Sequence, residues 1–154
     1  PASSANVVHD SEVSTAFHQL VDAWTTQSNG ELRISCVEGS VLDALASLDV
    51  HEARLSLLTS SDALAWLTWA GASGGAHGRR RGNALGRDAA WWTVAALTGQ
   101  TSNWPLSGED SMTAVNSLQW FWWDANEATT GWNVCLCIHH ADRNRSWAFT
   151  LTDK

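Results

Sequence analysis

Residues 71–92, GASGGAHGRRRGNALGRDAAWW, limit the fold more than any other stretch, because they set six glycines (71, 74, 75, 78, 82 and 86) between two apolar helical patterns. Glycine at that density interrupts regular structure, so a loop has to join two helices here. The same stretch holds Arg79, Arg80, Arg81 and Arg87, half of the eight arginines in the chain. A cationic, glycine-rich loop that feeds a helix N-terminus has the makings of an anion-binding site: backbone N–H groups can approach closely and arginines can neutralise charge.

Around this loop the apolar spacing predicts the other elements. Val13, Phe17, Leu20, Val21 and Trp24 recur at helical intervals from Ser11, with Asp10 or Ser11 as N-cap and Asn29-Gly30 as the stop. Leu32, Ile34 and Cys36 alternate with their neighbours as in a strand, Ser40 starts a short helix to about Leu48, and a second strand covers about Arg54 to Thr59. A strand–helix–strand order of this kind predicts two parallel strands joined by a crossover. Helices follow over about Asp62–Ala70, Asn83–Thr98 and Ser107–Asn116. Gly82 and Gly86, four apart, leave one side of the first helical turn bare for close approach to another backbone.

Leu118–Trp123, Gly131–His139 and Ser146–Thr152 read as an antiparallel meander. Within it Trp132, Val134, Leu136 and Ile138 point one way, and Asn133, Cys135, Cys137 and His139 the other, as in a strand covered on both faces. The expected fold is therefore α/β or α+β: a flexible tail over residues 1–10, then a single domain over residues 11–154. Its mixed sheet of about five strands is parallel in the N-terminal βαβ part, antiparallel in the C-terminal meander, and packed with helices.

Composition narrows the function classes. A chain of 154 residues with 44% hydrophobic and 16% charged residues is globular rather than disordered. A net charge of −7 argues against broad nucleic-acid binding while leaving room for a local basic patch. No apolar run reaches membrane-spanning length, and the first residues lack the layout of a signal peptide, so no membrane association and a cytoplasmic location are expected. Three cysteines do not make a disulfide framework.

The segment WLTWAGASGGAHGRRRGNALGR (66–87), followed by AAWW, Trp104-Pro105 and the tryptophan-rich meander, resembles an uncharacterised domain family of high-GC, actinomycete-type bacteria. The resemblance runs from about Asp62 to the end of the chain, and its Gly/Arg stretch is its most specific part. It implies no activity and assigns no catalytic residue.

Candidate sites each compete with a structural explanation. Arg79, Arg80, Arg81 and Arg87, with the backbone near Asn83 and Ala84, could grip a phosphate or carboxylate, since the guanidinium fork suits both; alternatively they pair with local acids such as Asp62 and Asp88. The loop is not a P-loop, because no G-x-x-x-x-G-K-[ST] occurs and a helix leads into it, and it is not a dinucleotide fingerprint. No cofactor is expected. His77 is the one candidate general acid or base, with Asp88 to orient it, although an exposed turn histidine is the plainer reading. Cys135, Cys137 and His139 span about 13 Å along one strand face and cannot all ligate one ion, so core packing is favoured and no metal is expected. Trp120, Trp122, Trp123, Trp132 and Trp147 could form a stacking platform or fill a tyrosine-free core.

These readings lead to a binding module whose Gly/Arg loop and following helix N-terminus hold an anionic small molecule. The alternative is a protein–protein interaction domain of a larger assembly with an acidic partner, and the third is an enzyme on a phosphoester. No H-E-x-x-H pattern occurs, and the enzyme reading is left without an assigned nucleophile.

Overall fold

The computed structural model describes residues 6–125 and 132–153. In chain order its elements are β1 (Asn6–Val7), α1 (Ser11–Leu20), α2 (Asp22–Gln27), β2 (Glu31–Glu38), α3 (Val41–Ser47) and β3 (Arg54–Leu58). They continue with α4 (Ser60–Ala72), α5 (Asn83–Leu97), α6 (Gly108–Asn116), β4 (Leu118–Asp124), β5 (Trp132–His140) and β6 (Arg145–Asp153). Gly131, expected to begin a strand, and most of the expected connection between the first two meander strands lie outside the described residues.

Helix starts follow local chemistry. The Asp10 carboxylate accepts from the Val13 amide to open α1, and Ser40 with Asp43 forms a reciprocal capping box on α3. Thr59 caps α4 and Ser107 caps α6. The helix expected to run unbroken from Ser11 to Asn29 is divided at Val21, which leaves helical geometry (φ −106°, ψ 16°). The break keeps Val21 and Trp24 buried in the same core as α1.

Among the described residues six strands join one sheet in the order β1-β2-β6-β5-β4-β3, and every neighbouring pair is antiparallel. The expected parallel pairing of β2 with β3 is therefore wrong. The two strands do run in the same direction, as a crossover requires, but β6, β5 and β4 lie between them. Helix α3 packs against β2, β6 and β5, so the connection passes across the sheet and delivers β3 to its far edge. The sheet also has six strands rather than about five; the extra one is β1, two residues from the segment read as a tail, paired with Val37 and Glu38 of β2. The architecture is α+β with an antiparallel sheet.

The two sheet faces carry unequal loads. On one, Cys36, Trp120, Leu136, Ile138, Trp147, Phe149 and Leu151 meet apolar residues of α1, α2, α4, α5 and α6 in the main core. On the other, Val37, Trp123, Cys135, Cys137 and Ala148 pack against Ala44 and Leu45 of α3. The alternation expected along β5 is observed: Val134, Leu136 and Ile138 enter the main core, while Cys135 and Cys137 face α3. Among the described residues no helix is long and apolar enough to cross a membrane.

Helices α4 and α5 meet where the Gly/Arg loop joins them. A Cβ on Gly86 would stand 2.4 Å from the Thr68 carbonyl oxygen and 2.8 Å from the Ala72 amide nitrogen, and one on Gly71 would lie 3.1 Å from the Gly86 Cα. The two backbones touch directly there, so Gly86 does serve close approach. Gly82 does not: a Cβ there would meet nothing within 4 Å, and its role is the positive φ of 91° at the N-cap of α5. Gly86→Ala is expected to lower stability by about 2–3 kcal/mol in a urea titration, since the backbones must separate to admit the methyl group. Gly108→Ala, at an open helical position, is expected to be neutral or stabilising by up to about 1 kcal/mol. Equal midpoints for the two variants would contradict the close crossing.

Candidate functional site

The Gly/Arg loop is built on a buried carboxylate that no sequence motif singles out. Asp153, 1% exposed at the end of β6, accepts hydrogen bonds from the Ala76 amide (2.7 Å), the Ser28 hydroxyl (2.6 Å) and the Asn29 amide (3.2 Å). Ser28 Oγ in turn accepts from the His77 amide at 3.0 Å. Gly75, at φ 78°, passes so close that a Cβ would overlap the Asp153 carboxylate. The loop is thus tied to a carboxylate of its own chain, directly through the Ala76 amide and through Ser28 at the His77 amide.

Two further anchors fix the rest of the loop. The Arg79 amide donates to Gln27 Oε1 at 3.0 Å, and the Arg81 amide donates to the Ala72 carbonyl at 2.7 Å. The Arg81 guanidinium reaches the carbonyls of Gln19 and Leu20 at 3.3 and 3.5 Å, at the C-terminal end of α1 where cationic donors are favourable.

The remaining expected residues gather on the outside. Arg79, Arg80, Arg87, Asn83 and His77 are exposed, and Arg81 is half-buried. Among the described residues no salt bridge joins Arg79, Arg80 or Arg87 to an acid, so the suggested pairings with Asp62 and Asp88 do not form. Among the described residues no side chain caps the N-terminus of α5, and its first intrahelical bond is that of the Gly86 amide to the Gly82 carbonyl. Exposed cations beside an uncapped helix N-terminus form a locally electropositive surface on an acidic protein.

The tryptophans divide by depth. Trp120, Trp123 and Trp147 are buried, and the indole N–H groups of Trp120 and Trp123 are spent on the carbonyls of Val115 and Phe149. Trp122 is half-buried and Trp132 is 38% exposed. Sequence reasoning confined the platform to the meander and missed Trp66 and Trp69 of α4. Trp122, Trp66, Trp69 and Trp132 form a continuous run of ring contacts, with Trp24 edge-on behind Trp69 and Trp132. The available signal was the spacing of Trp66 and Trp69, three apart on a helix and therefore on neighbouring positions of one face.

The cysteines are placed for packing. Burial pushes the Cys137 thiol up to about 12, and burial with the nearby Asp10 charge does the same for Cys36, so both stay protonated at neutral pH. His139 Nδ1 lies 2.7 Å from Ser146 Oγ, and Cys135 Sγ bonds to Asn133 Oδ1. Among the described residues no group of three or more His, Cys, Asp and Glu is arranged to hold a metal ion.

His140 sits in a different setting. It is buried, and its Nδ1 accepts from Arg143 Nε at 3.0 Å. Desolvation, then the Arg143 charge, lower its pKa below the ordinary histidine value, outweighing Asp142 at 3.9 Å, which is exposed and pulls the other way. Because the folded pKa is depressed, this group costs no stability above about pH 6.5, where both states are neutral. Below that the unfolded chain binds the proton first, so stability falls as pH drops toward the folded pKa. Wild type is therefore expected to lose stability relative to His140→Gln as pH falls below about 6.5, measured by urea midpoints. Parallel pH profiles for the two proteins would contradict the assignment.

No curated protein and no solved structure matches the chain. A family model does, over residues 1–154, and it extends the resemblance beyond the Gly/Arg stretch to the N-terminal region. The chain, with its Gly/Arg loop closed on Asp153, belongs to a family of unknown function, DUF6183.

Proposed function

We propose that the protein is a binding module that holds an anionic group, phosphate or carboxylate, at the N-terminus of α5, with Arg79, Arg80 and Arg87 supplying the charge. The observation that carries this reading is three exposed arginines, with no salt bridge to an acid among the described residues, on the loop before α5 and in its second turn, where no described side chain caps the helix N-terminus. Such charges repel one another in the free protein and are relieved by a bound anion, whose oxygens fit both the guanidinium fork and the first-turn N–H groups. Arg81 plays a different part: its guanidinium is committed to the end of α1, and it holds the loop in place. Asn83 contributes as the first residue of α5.

A second reading has one observation in its favour. Leu85, on the same first turn, is 45% exposed. An apolar side chain among arginines suits an acidic protein surface better than a small anion.

Replacing Arg79, Arg80 and Arg87 together by Ala is expected to leave stability within about 0.5 kcal/mol, as for exposed positions without partners. The variant is expected to lose binding of inorganic pyrophosphate measured by calorimetry, and the wild-type affinity is expected to fall as salt rises. Arg81→Ala is expected to lose about 1 kcal/mol of stability through its carbonyl contacts. Salt-independent binding, or pyrophosphate affinity unchanged in the triple variant, would contradict the anion site. No pyrophosphate binding by the wild type would favour the protein-partner reading.

A further inference from the structure

The tryptophan run opens onto the surface in a notch between α4 and the sheet, lined by Leu58, Asp62, Trp66, Trp69, Trp132 and Asn133. Asp62, Trp66 and Trp69 stand at positions i, i+4 and i+7 of α4, which places the carboxylate and both indoles on one face of the helix. The Trp66 and Trp69 planes meet at 90° with centroids 5.8 Å apart. Trp132 stacks on Trp69 at 5.4 Å and 28°, and Trp122 backs Trp66 at 4.7 Å. Ring-to-ring packing of this kind fixes the orientation of the two walls before any ligand arrives, which lowers the ordering cost of binding.

Shape and charge together select the occupant. A sugar or a nucleobase needs one broad free ring face, whereas Trp69 already stacks on Trp132 and Trp66 stands across it. What remains is a right-angled aromatic corner, which suits a compact, roughly spherical group. Indole faces carry negative quadrupole potential and attract cations, most strongly those whose charge is spread over methyl groups and is easily desolvated. Asp62 adds a full negative charge at the rim, and among the described residues no salt bridge neutralises it. Among the described residues no lysine or arginine lines the notch, and the whole chain carries −7. We propose that this notch binds a small alkylated ammonium ion of the choline or tetramethylammonium type, held in the Trp66–Trp69 corner with Asp62 as counter-charge. The site is separate from the arginine surface and does not depend on the anion-binding reading.

The experiment is a titration of the full chain with choline chloride and with tetramethylammonium chloride, at ionic strength held constant with sodium chloride. It is followed by proton–nitrogen correlation spectra of the indole N–H groups. The neutral isostere of choline, 3,3-dimethylbutan-1-ol, is titrated alongside. Both cations are expected to shift the Trp66, Trp69 and Trp132 signals in a saturable way while the buried Trp120 and Trp147 signals stay in place. The isostere is expected to bind at least several-fold more weakly. Trp69→Ala is expected to abolish the effect, and the exposed Asp62→Asn to weaken choline about five-fold with no loss of fold, the scale of one half-solvated charge contact. Equal affinity for the neutral isostere, an unchanged affinity in Asp62→Asn, or no saturable shift with either cation would each overturn the proposal.

Discussion

A buried carboxylate organises the part of this molecule that carries its sequence signature. Asp153 ends the last strand, yet its two oxygens collect donors from the turn after α2 and from the Gly/Arg loop, more than seventy positions away at the nearest. A carboxylate taken out of water is costly unless its lone pairs are satisfied, and here three donors satisfy it. Loop composition follows from that contact. Gly75 is needed because no Cβ fits against the carboxylate, and Gly71 and Gly86 are needed because the helices on either side of the loop touch backbone to backbone. The glycines therefore build a tightly anchored connection, not a slack one.

That anchoring changes how the arginines are read. A flexible basic loop would wrap around an acidic partner at a large entropic cost. Here the backbone at Ala76, His77, Arg79 and Arg81 is already hydrogen-bonded, so the exposed guanidiniums project from a fixed base. Preorganisation of this kind favours small, oriented ligands. Similar logic governs the tryptophans: Trp24, buried and bonded to the Ala70 carbonyl, supports both Trp69 and Trp132 from behind.

The secondary elements were largely legible because their signals are local. Asp10, Ser40 and Ser107 mark helix starts by side-chain capping, and the alternation of Val134, Leu136 and Ile138 against Cys135 and Cys137 reflects the two-residue period of a strand covered on both faces. Strand order was not legible. A helical crossover fixes the direction in which β3 returns but not how many strands it passes, and α3 carries the chain beyond β6, β5 and β4. The candidate site divides the same way. The Gly/Arg loop stands out as a run of residues, whereas its partner Asp153 is an ordinary aspartate near the end of the sequence. Nothing local links Trp132 to Trp66 and Trp69 either; only the packing of α4 on the sheet brings them together.

The Ala76 amide is already taken by the protein's own Asp153 carboxylate and the His77 amide by Ser28, so the proposed external anion would sit at the N-terminus of α5. Backbone amide spectra recorded during addition of inorganic pyrophosphate test it directly. Shifts are expected at Asn83, Ala84 and Leu85, with the Ala76 and His77 amides unmoved and slow to exchange with solvent because Asp153 and Ser28 hold them. Shifts centred on Ala76 and His77, or rapid exchange of those two amides in the free protein, would contradict it.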